Sequence, residues 1–343
     1  MNYDYLIVGA GLAGSVLAER LADIGKQVLL VEQRDHLGGN CYDSINQDGI
    51  LIHNYGPHIF HTNDQVVWDY LSKFTAWHPY SHRVLANFNG QVLTLPPNLN
   101  TFEELFPGQE ISKTMDKFEQ EIDKKIFMEY SRKQWGTDLS ELAPEVRARI
   151  PIRLDRDNRY FKDKYQGIPK DGYSKLFKRM LANKNIEVVL GKDYKEIVDT
   201  VSYCRMIYTG PIDHYFDYQY GPLPYRSADF QFQTLDQQSF QPAPVVNYTG
   251  AEPYTRITEF KKLTGQKRNK TTILREFPQA YQPGKNIPCY PIPQEQNQLL
   301  NQKYQQLAEQ ESDTIFIGRL AEYRYYNMDG VVGRALEIFG SLA

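Results

Sequence analysis

The spacing of apolar residues near the N-terminus predicts a strand, a helix and a second strand. Residues 3–8 are mainly apolar, as is typical of a parallel strand that is buried on both faces. The following segment places Val16, Leu17 and Leu21 on one face of a helix. A second apolar run over 27–31 ends at Glu32. Together these segments predict a β-α-β unit of about 30 residues with a right-handed crossover.

A glycine-rich segment, Gly9-Ala10-Gly11-Leu12-Ala13-Gly14, joins the first strand to the first helix. In this position the first glycine permits a tight turn, the second lets the backbone approach a pyrophosphate, and the third lets helix and strand pack closely. The N–H groups at the helix N-terminus then face the phosphates. The segment predicts a dinucleotide site whose cofactor contacts include Gly9, Gly11, Leu12, Ala13 and Gly14.

The end of the second strand favours FAD as the dinucleotide. Glu32 lies 18 residues after the last glycine of the loop, where a carboxylate accepts hydrogen bonds from ribose hydroxyls and repels the 2′-phosphate of NADP. Gln33, the glycine pair Gly38-Gly39 and Asn40 follow, and this extension resembles that of flavin oxidoreductases. Gly318-Arg319, which precedes the last predicted helix, resembles the late segment that closes over FAD.

The remaining pattern predicts one discontinuous domain with two insertions. Apolar residues at helical spacing recur within 100–148, whereas 229–290 alternates short β-like runs with Pro and Gly turns. Further strands are predicted at 91–95, 186–190, 206–208 and 315–317, and helices at 112–130, 173–181 and from about residue 331. We therefore predict an α/β fold with a Rossmann-like FAD-binding domain over 1–78, 182–212 and 305–343, a helical subdomain over 98–148, and an antiparallel β-sheet subdomain over 79–97, 149–181 and 213–304.

Composition argues against several classes of function. The net charge is −3 and the pI is about 6.2, which argues against a broad nucleic-acid surface. The basic residues between Lys261 and Lys270 are interpreted as a solvated loop. The three cysteines are odd in number and widely spaced, so we expect a reduced, cytoplasmic protein. We find no signal peptide and no apolar run of about 20 residues, so no membrane span is expected.

Several longer motifs resemble one family of flavoenzymes. They are Gly56–Thr62 (GPHIFHT), Tyr130–Gly136 (YSRKQWG), Asp157–Phe161 (DNRYF), Pro253–Glu259 (PYTRITE) and Tyr323–Asp329 (YRYYNMD). Over nearly its whole length the chain is similar to the bacterial UDP-galactopyranose mutases. These motifs are more specific than the glycine loop, which occurs in many dinucleotide-binding proteins.

The resemblance implies an intramolecular transferase that interconverts UDP-galactopyranose and UDP-galactofuranose with no net redox change. It implies a bound FAD that must be reduced, with covalent catalysis from the flavin N5 atom. No serine, cysteine or aspartate nucleophile is then required. The product would supply galactofuranose for cell-wall or polysaccharide biosynthesis.

Such a reaction needs cationic groups that hold the departing diphosphate. Arginine is suited to this role because it stays charged and can donate two parallel hydrogen bonds to a phosphate. The resemblance points to Arg149, which we expect near a mobile loop that excludes water, and to Arg256. One ion pair at about 4 Å has a Coulomb energy of about 4 kcal/mol at an effective dielectric constant of about 20, before desolvation is subtracted. For either arginine alone, a surface salt bridge is the alternative interpretation.

The resemblance also assigns the other residues of the site. His58 and His61 are expected to contact the flavin and the sugar; their spacing also fits half of a metal site or a packed pair, but no third ligand is apparent, so no metal is expected. At Asn327 many relatives carry Asp, so this chain keeps hydrogen bonding there but loses the charge that an acid–base role needs. The expected substrate contacts are Tyr130, Trp135, Tyr160, Asn247, Glu276, Tyr290, Tyr325 and Asn327. The remaining cofactor contacts are His58, Arg319, Asn327, Met328 and Asp329.

Three alternatives remain open from the sequence. A redox flavoenzyme on an amine-oxidase-like scaffold would share the same dinucleotide-binding motifs. A non-catalytic module would bind a nucleotide-sugar or FAD without turnover. A mutase of this kind can also accept UDP-N-acetylgalactosamine, although the HIFHT segment resembles the galactose-specific form. A homodimer is expected only by analogy with bacterial relatives.

Overall fold

The computed structural model describes residues 2–144 and 150–342. Its strands are β1 (Asn2–Val8), β2 (Val28–Glu32), β3 (Asp43–Ile45), β4 (Leu51–His53), β5 (Phe60–Thr62), β6 (Trp77–Pro79), β7 (Val84–Phe88), β8 (Gln91–Leu95), β9 (Tyr165–Pro169), β10 (Ile186–Leu190), β11 (Ser202–Tyr208), β12 (Tyr225–Leu235), β13 (Val245–Tyr248), β14 (Arg256–Glu259), β15 (Thr271–Ala280), β16 (Tyr290–Pro291) and β17 (Thr314–Phe316). Its α-helices are α1 (Leu12–Asp23), α2 (Gln65–Ser72), α3 (Leu99–Leu105), α4 (Ile111–Ile122), α5 (Glu129–Trp135), α6 (Tyr173–Met180), α7 (Ile212–Tyr215), α8 (Phe260–Thr264), α9 (Glu295–Ala308) and α10 (Met328–Leu342). A π-helical segment, Asp123–Met128, joins α4 to α5. Within the described residues no helix is both long enough and apolar enough to cross a membrane.

A five-stranded parallel sheet has the strand order β10-β2-β1-β11-β17. Along β1, Tyr5 and Ile7 belong to one hydrophobic cluster, whereas Leu6 and Val8 belong to a second cluster. Because side chains alternate between the two faces of a strand, both faces of this sheet are covered. This double burial explains why β1 and β2 appear as apolar runs in the sequence.

Helices α1, α6 and α10 share one of these two clusters, to which Leu17, Phe177 and Val332 contribute fully buried side chains. The N-terminus of α6 is held by the side chain of Asp43 on β3. Its carboxylate oxygens accept hydrogen bonds from the first two N–H groups of the helix at 2.5 and 2.8 Å. A carboxylate at this end of a helix satisfies otherwise unpaired donors and complements the helix dipole.

A second sheet, separate from the parallel one, has seven strands in the order β16-β12-β15-β14-β13-β7-β8. Adjacent strands within this sheet run antiparallel, except for β7 and β13, which run parallel to each other, so the sheet is mixed. Helices α3 and α4 pack on β7 and β8 through a cluster that contains Phe102, Phe118 and Leu93. The helical insertion therefore lies directly on one end of this sheet.

The segment 149–181 differs from the antiparallel subdomain to which the sequence assigned it. Strand β9 pairs with β5 and β6 in a separate three-stranded antiparallel sheet. Helix α6 packs in the core of the parallel sheet, as described above. Residues 145–149 of the predicted subdomains lie outside the described residues.

Candidate functional site

A cleft opens at the carboxyl ends of β1, β2 and β11, where the glycine-rich loop enters α1. Gly9 has a φ of +100°, and a Cβ atom there would lie 2.2 Å from Oγ1 of Thr209. A Cβ atom on Gly14 would lie 2.0 Å from the carbonyl oxygen of Gly9. In contrast, a Cβ atom on Gly11 meets no atom within 4 Å, because it would project into open space. The loop is thus tightly packed at Gly9 and Gly14, whereas its backbone at Gly11 stays accessible from the cleft, as a bound pyrophosphate requires.

Glu32, at the end of β2, lies against the glycine-rich loop. Its buried carboxylate accepts hydrogen bonds from the Ala10 N–H group at 2.9 Å and from the Arg34 N–H group at 3.0 Å. The carboxylate therefore holds the first turn of the loop in addition to lining the cleft. The arrangement fits the ribose-facing position that the sequence predicts for Glu32.

Most of the predicted cofactor residues surround this cleft. Those that line it are Gly9, Gly11, Leu12, Ala13, Glu32, Gln33, Gly39, Asn40, His58, Arg319 and Met328. Gly14 lies behind the loop, where it permits close packing. Asn327 and Asp329 are not among the lining residues: Asn327 is exposed and its carbonyl accepts the Val331 N–H group at 3.1 Å, while Asp329 accepts the Gly330 N–H group at 2.8 Å.

Arg34 is a lining residue that the sequence argument missed. Its Nη2 atom donates to Oδ1 of Asn40 at 3.0 Å, and its guanidinium lies 4.8 Å from the ring centre of Tyr55. Its Nε and Nη1 atoms are buried and have no hydrogen-bond partner within the described residues. Unpaired guanidinium donors beside the glycine loop suit an anionic ligand. The only signal in the sequence is its place two residues after the acidic strand end.

A second cavity adjoins the first and shares Asn40, His58, Cys289 and Arg319 with it. Its other walls include Gln134 from the helical insertion, Phe230, Glu276 and Tyr290 from the seven-stranded sheet, and Tyr55 from the segment between β4 and β5. The shared residues place this cavity directly beside the dinucleotide cleft. Any group bound in one cavity therefore lies close to a group bound in the other.

Arg256 lies beside the second cavity, next to its lining residue Glu276, although Arg256 itself lines neither cavity. On the seven-stranded sheet its Cα atom pairs with Asn247 on one side and with Glu276 on the other. Its Nη2 atom donates to the hydroxyl of Tyr130 at 2.9 Å, and its Nε atom lies 3.5 Å from Oε2 of Glu276. Burial opposes its charge, but Glu276 and the nearby tyrosines outweigh this effect and hold the pKa of Arg256 above its usual value.

Polar atoms around Arg256 are buried without hydrogen-bond partners among the described residues. They are Nε of Arg256, Oε1 of Glu276 and Oδ1 of Asn247. Burial also raises the pKa of Glu276, although the charge of Arg256 partly opposes this rise. Because unpaired buried polar atoms are costly, clusters of them are typical of sites where a ligand completes the hydrogen bonding.

Three aromatic rings and one guanidinium form a compact group beside this cavity. The ring centre of Trp135 lies 6.4 Å from that of Tyr290 and 5.9 Å from that of Tyr325, while the two tyrosine rings stack at 5.4 Å. The guanidinium of Arg319 lies 5.2 Å from the ring centre of Tyr290. Three of the predicted substrate residues, Trp135, Tyr290 and Tyr325, are thus brought together, and Tyr290 lines the second cavity itself.

His58 faces both cavities with a defined tautomer. Its Nδ1 atom lies 2.9 Å from the carbonyl oxygen of Gly56, which can only accept a hydrogen bond, so Nδ1 carries the proton. Burial, with a smaller effect from the neighbouring His53, lowers the pKa of His58 to about 3. The ring is therefore neutral near pH 7 and its Nε2 atom is an acceptor. Within the described residues no group of three or more His, Cys, Asp or Glu side chains is arranged to hold a metal ion.

The structure places three other predicted site residues differently. His61 lines neither cavity, because its Nδ1 atom pairs with Oδ2 of Asp163 at 2.6 Å and its ring stacks on Phe161 at 3.6 Å. Tyr160 lines neither cavity, and its ring lies edge-on to His82 and Phe161, with ring centres 5.6 and 5.0 Å away. Arg149 falls outside the described residues.

Comparisons with known proteins agree with this arrangement. Residues 7–74 match the model of an NAD(P)-binding Rossmann-like domain, so the predicted Rossmann-like α/β fold is confirmed. Residues 125–325 match the UDP-galactopyranose mutase family model. A crystal structure of a reduced UDP-galactopyranose mutase superposes with a TM-score of 0.77 at 16% identity, covering 99% of this chain and 95% of that chain.

Two relatives match this chain over almost its whole length. A probable UDP-galactopyranose mutase from Klebsiella pneumoniae is 37% identical, covering 98% of this chain and 94% of the relative. A dTDP-fucopyranose mutase from Escherichia coli is 36% identical, covering 97% of this chain and 96% of the relative.

The fold and the cleft define a dinucleotide-binding protein of the Rossmann-like class with a second ligand cavity beside the dinucleotide. Within that class, the chain belongs to the UDP-galactopyranose mutase family. The family predicted from the motifs is therefore confirmed.

Proposed function

We propose that this protein binds FAD and interconverts UDP-galactopyranose and UDP-galactofuranose with no net redox change. The observation that carries the proposal is the position of Arg256. A half-buried guanidinium, whose pKa lies above its usual value, lies among Tyr130, Glu276 and Asn247, in a region that adjoins the dinucleotide cleft. Membership of the UDP-galactopyranose mutase family supports the same activity.

The residues of the cleft fit FAD. The accessible backbone at Gly11 and the N-terminus of α1 would hold the pyrophosphate, and Glu32 would accept hydrogen bonds from a ribose. The unpaired donors of Arg34 would neutralise part of the phosphate charge. When bound and reduced, FAD would supply a nucleophilic nitrogen, N5, toward the anomeric carbon of the sugar.

Arg256 would hold the diphosphate of the substrate and keep the expelled nucleotide close. One carboxylate and one phenol face it, and its Nε atom has no hydrogen-bond partner within the described residues, so it has a donor left for a phosphate oxygen. A charge-assisted contact of this kind contributes about 1.5–3 kcal/mol. Arg149, which the family motif assigns to the same diphosphate, would act as a second cation. The two together would stabilise the leaving group and slow its escape.

Glu276 and His58 would orient the sugar rather than attack it. Oε1 of Glu276 is buried without a partner among the described residues, and it would accept a hydrogen bond from a sugar hydroxyl. Neutral His58 presents an acceptor nitrogen at the junction of the two cavities. Trp135, Tyr290 and Tyr325 provide aromatic faces that suit the uracil ring or the sugar.

Turnover tests the proposal directly. The purified protein, reduced with dithionite under anaerobic conditions, is incubated with UDP-galactofuranose, and UDP-galactopyranose is measured by chromatography. We expect conversion without stoichiometric consumption of the reductant. Conversion by the oxidised protein, or consumption of one reductant per product, would favour a redox flavoenzyme instead.

Replacement of Arg256 by Ala tests the site itself. We expect Arg256→Ala to lower kcat/KM by about two orders of magnitude, which corresponds to about 3 kcal/mol, while the bound flavin colour stays. Arg275→Ala is the matched control, because Arg275 neighbours Glu276 on β15 but points to the opposite face, where its Nη1 atom donates to Gln233. Near-normal turnover in Arg256→Ala would mean that the diphosphate binds elsewhere.

A second candidate substrate follows from the relative in Escherichia coli, whose name states a dTDP-fucopyranose mutase activity at nearly the same identity. UDP-N-acetylgalactosamine is a third candidate that a mutase of this kind can accept. Comparing kcat/KM for UDP-galactofuranose, dTDP-fucofuranose and the furanose form of UDP-N-acetylgalactosamine separates the three. A homodimer remains a proposal, to be tested by sedimentation of the FAD-loaded protein.

A further inference from the structure

Lys133 on α5 has an unusual set of partners. Its Nζ atom lies 2.6 Å from the carbonyl oxygen of Tyr248, 3.0 Å from that of Gly250, 2.9 Å from that of Glu252 and 3.2 Å from that of Tyr254. An ammonium group has three N–H donors, so four carbonyl oxygens satisfy it completely. Its donors are therefore committed to backbone and are not available to a phosphate.

The four carbonyl oxygens belong to one loop, which connects β13 to β14. The residues that flank this loop are Asn247 and Arg256, whose Cα atoms pair across the two strands. The loop backbone curls around the ammonium, which therefore fixes the distance between the ends of the two strands. Both side chains that the loop holds in place belong to the candidate site.

Helix α5 also forms hydrogen bonds to Arg256 and to strand β12. Three residues before Lys133, the hydroxyl of Tyr130 accepts a hydrogen bond from Nη2 of Arg256 at 2.9 Å. Beyond Lys133, the buried Arg226 on β12 donates to the carbonyl oxygens of Gln134 at 2.8 Å and of Lys133 at 3.0 Å. The helix is thus anchored at its C-terminal end, and Lys133 is the link between that anchored helix and the loop before Arg256.

We propose that Lys133 is a positioning residue for the mutase reaction, which acts through Arg256. Its ammonium holds the 248–254 loop against α5, and the loop in turn holds the guanidinium of Arg256 beside Tyr130 and Glu276. Without the ammonium, four carbonyl dipoles point at one another with no cation between them, and the loop moves apart. The effect on turnover rests on the proposed function, whereas the effect on the loop does not.

A cavity variant with chemical rescue tests this role. In the FAD-loaded protein, Lys133→Ala is expected to lower kcat/KM for UDP-galactofuranose at least tenfold while FAD content stays at the wild-type level. The ammonium or methylammonium ion can take the place of the lost side-chain ammonium among the four carbonyl oxygens. Adding either chloride salt is therefore expected to raise kcat/KM of Lys133→Ala at least fivefold. Tetramethylammonium chloride at the same concentration has no N–H donor and is expected to restore none.

Two further variants separate positioning from general effects. Lys124→Ala removes an exposed lysine from the neighbouring π-helical segment, and its kcat/KM is expected to stay within twofold of the wild-type value in every salt. Lys133→Gln keeps two N–H donors, so it is expected to lose less activity than Lys133→Ala. It also serves as the test protein if the alanine variant does not fold.

Hydrogen–deuterium exchange gives a readout that is independent of catalysis. We expect faster exchange of the amides in 248–256 in Lys133→Ala than in the wild type, and slower exchange again when ammonium is added. A kcat/KM within twofold of wild type, or an activity loss with unchanged exchange in this loop, would overturn the role of Lys133. If the wild type itself shows no mutase turnover but the exchange changes as expected, the proposed function fails and the loop assignment stands.

Discussion

A buried aspartate beside the dinucleotide cleft is predicted to weaken the fold above about pH 6. Asp213 lies at the start of α7 and is fully buried. Its Oδ2 atom accepts the Leu223 N–H group at 2.8 Å, but its Oδ1 atom has no hydrogen-bond partner among the described residues. Burial raises the pKa of Asp213 to about 6, although backbone hydrogen bonds from Leu223 and its neighbours partly oppose this rise.

The magnitude follows from the two pKa values. The ordinary pKa is 3.8 and the folded value is about 6, so the difference of about 2 pH units corresponds to about 3 kcal/mol. Because the folded state holds the proton more tightly, it is favoured at low pH, and this advantage is lost as the pH rises from about 4 through about 6. Above this window the charged Asp213 costs the fold up to about 3 kcal/mol.

Asp213→Asn removes the charge and keeps an oxygen for the Leu223 N–H group. We expect the variant to be about 3 kcal/mol more stable than the wild type at pH 7.5 and only about 1 kcal/mol more stable at pH 4.5. The measurement is urea unfolding of both proteins with the same excess of FAD, because bound ligand adds to the apparent stability. Asp116→Asn, which changes an exposed residue on α4, is the control. A stability difference that is absent, or that does not grow between pH 4.5 and pH 7.5, would refute the reasoning.

Two further predictions concern the candidate site. Tyr130→Phe removes the hydroxyl that accepts from Nη2 of Arg256 at 2.9 Å, so kcat/KM is expected to fall by about tenfold, or about 1.4 kcal/mol, in steady-state assays. An unchanged kcat/KM would show that Arg256 does not need this contact. Gly14→Ala places a Cβ atom 2.0 Å from the Gly9 carbonyl oxygen, so purified protein is expected to contain much less FAD by absorbance than the wild type. Gly25→Ala, which meets no atom within 4 Å but has a positive φ, is expected to affect stability and not FAD content.

The sequence predicted the strands of the parallel sheet well. The range 186–190 coincides with β10, the range 3–8 differs from β1 by one residue at one end, and the range 27–31 differs from β2 by one residue at each end. In the seven-stranded sheet, the range 91–95 coincides with β8. For β1 and β2 the reason is physical, since burial on both faces leaves an apolar run that few other structures produce. The positions of the glycine loop and of Glu32 at the cleft could also be predicted, because their spacing is typical of a dinucleotide-binding loop.

The sequence did not predict which strands pair over long distances. Strand β9 pairs with β5 across about 100 residues, and nothing in the local period of 165–169 indicates that partner. The same limit explains why the sequence pattern assigned α6 to the antiparallel subdomain. Its amphipathic pattern predicted a helix, but only the capping contact from Asp43 and the shared core show that it packs on the parallel sheet.

Site residues that act through the backbone were also missed. Lys133 lies inside a motif that the resemblance assigned to substrate binding, yet the hydrogen bonds that its ammonium makes to described residues all go to carbonyl oxygens. His61 lies in another such motif, but its imidazole is paired with Asp163. In both cases the contacts of the individual side chain depend on a fold that brings distant segments together, which the motif alone does not show.

Overall sequence similarity to the two mutase relatives does not identify the substrate of this protein. The two relatives named above differ in the base and in the sugar of their substrates, yet they match this chain at 37% and 36% identity. Both substrates carry a diphosphate, which is the part that Arg256 would bind. Arg256 and the flavin cleft therefore support the class of reaction but do not discriminate between the two. Selectivity has to come from the walls that would face the base and the outer sugar carbons, and a ratio of kcat/KM values measures those contacts directly.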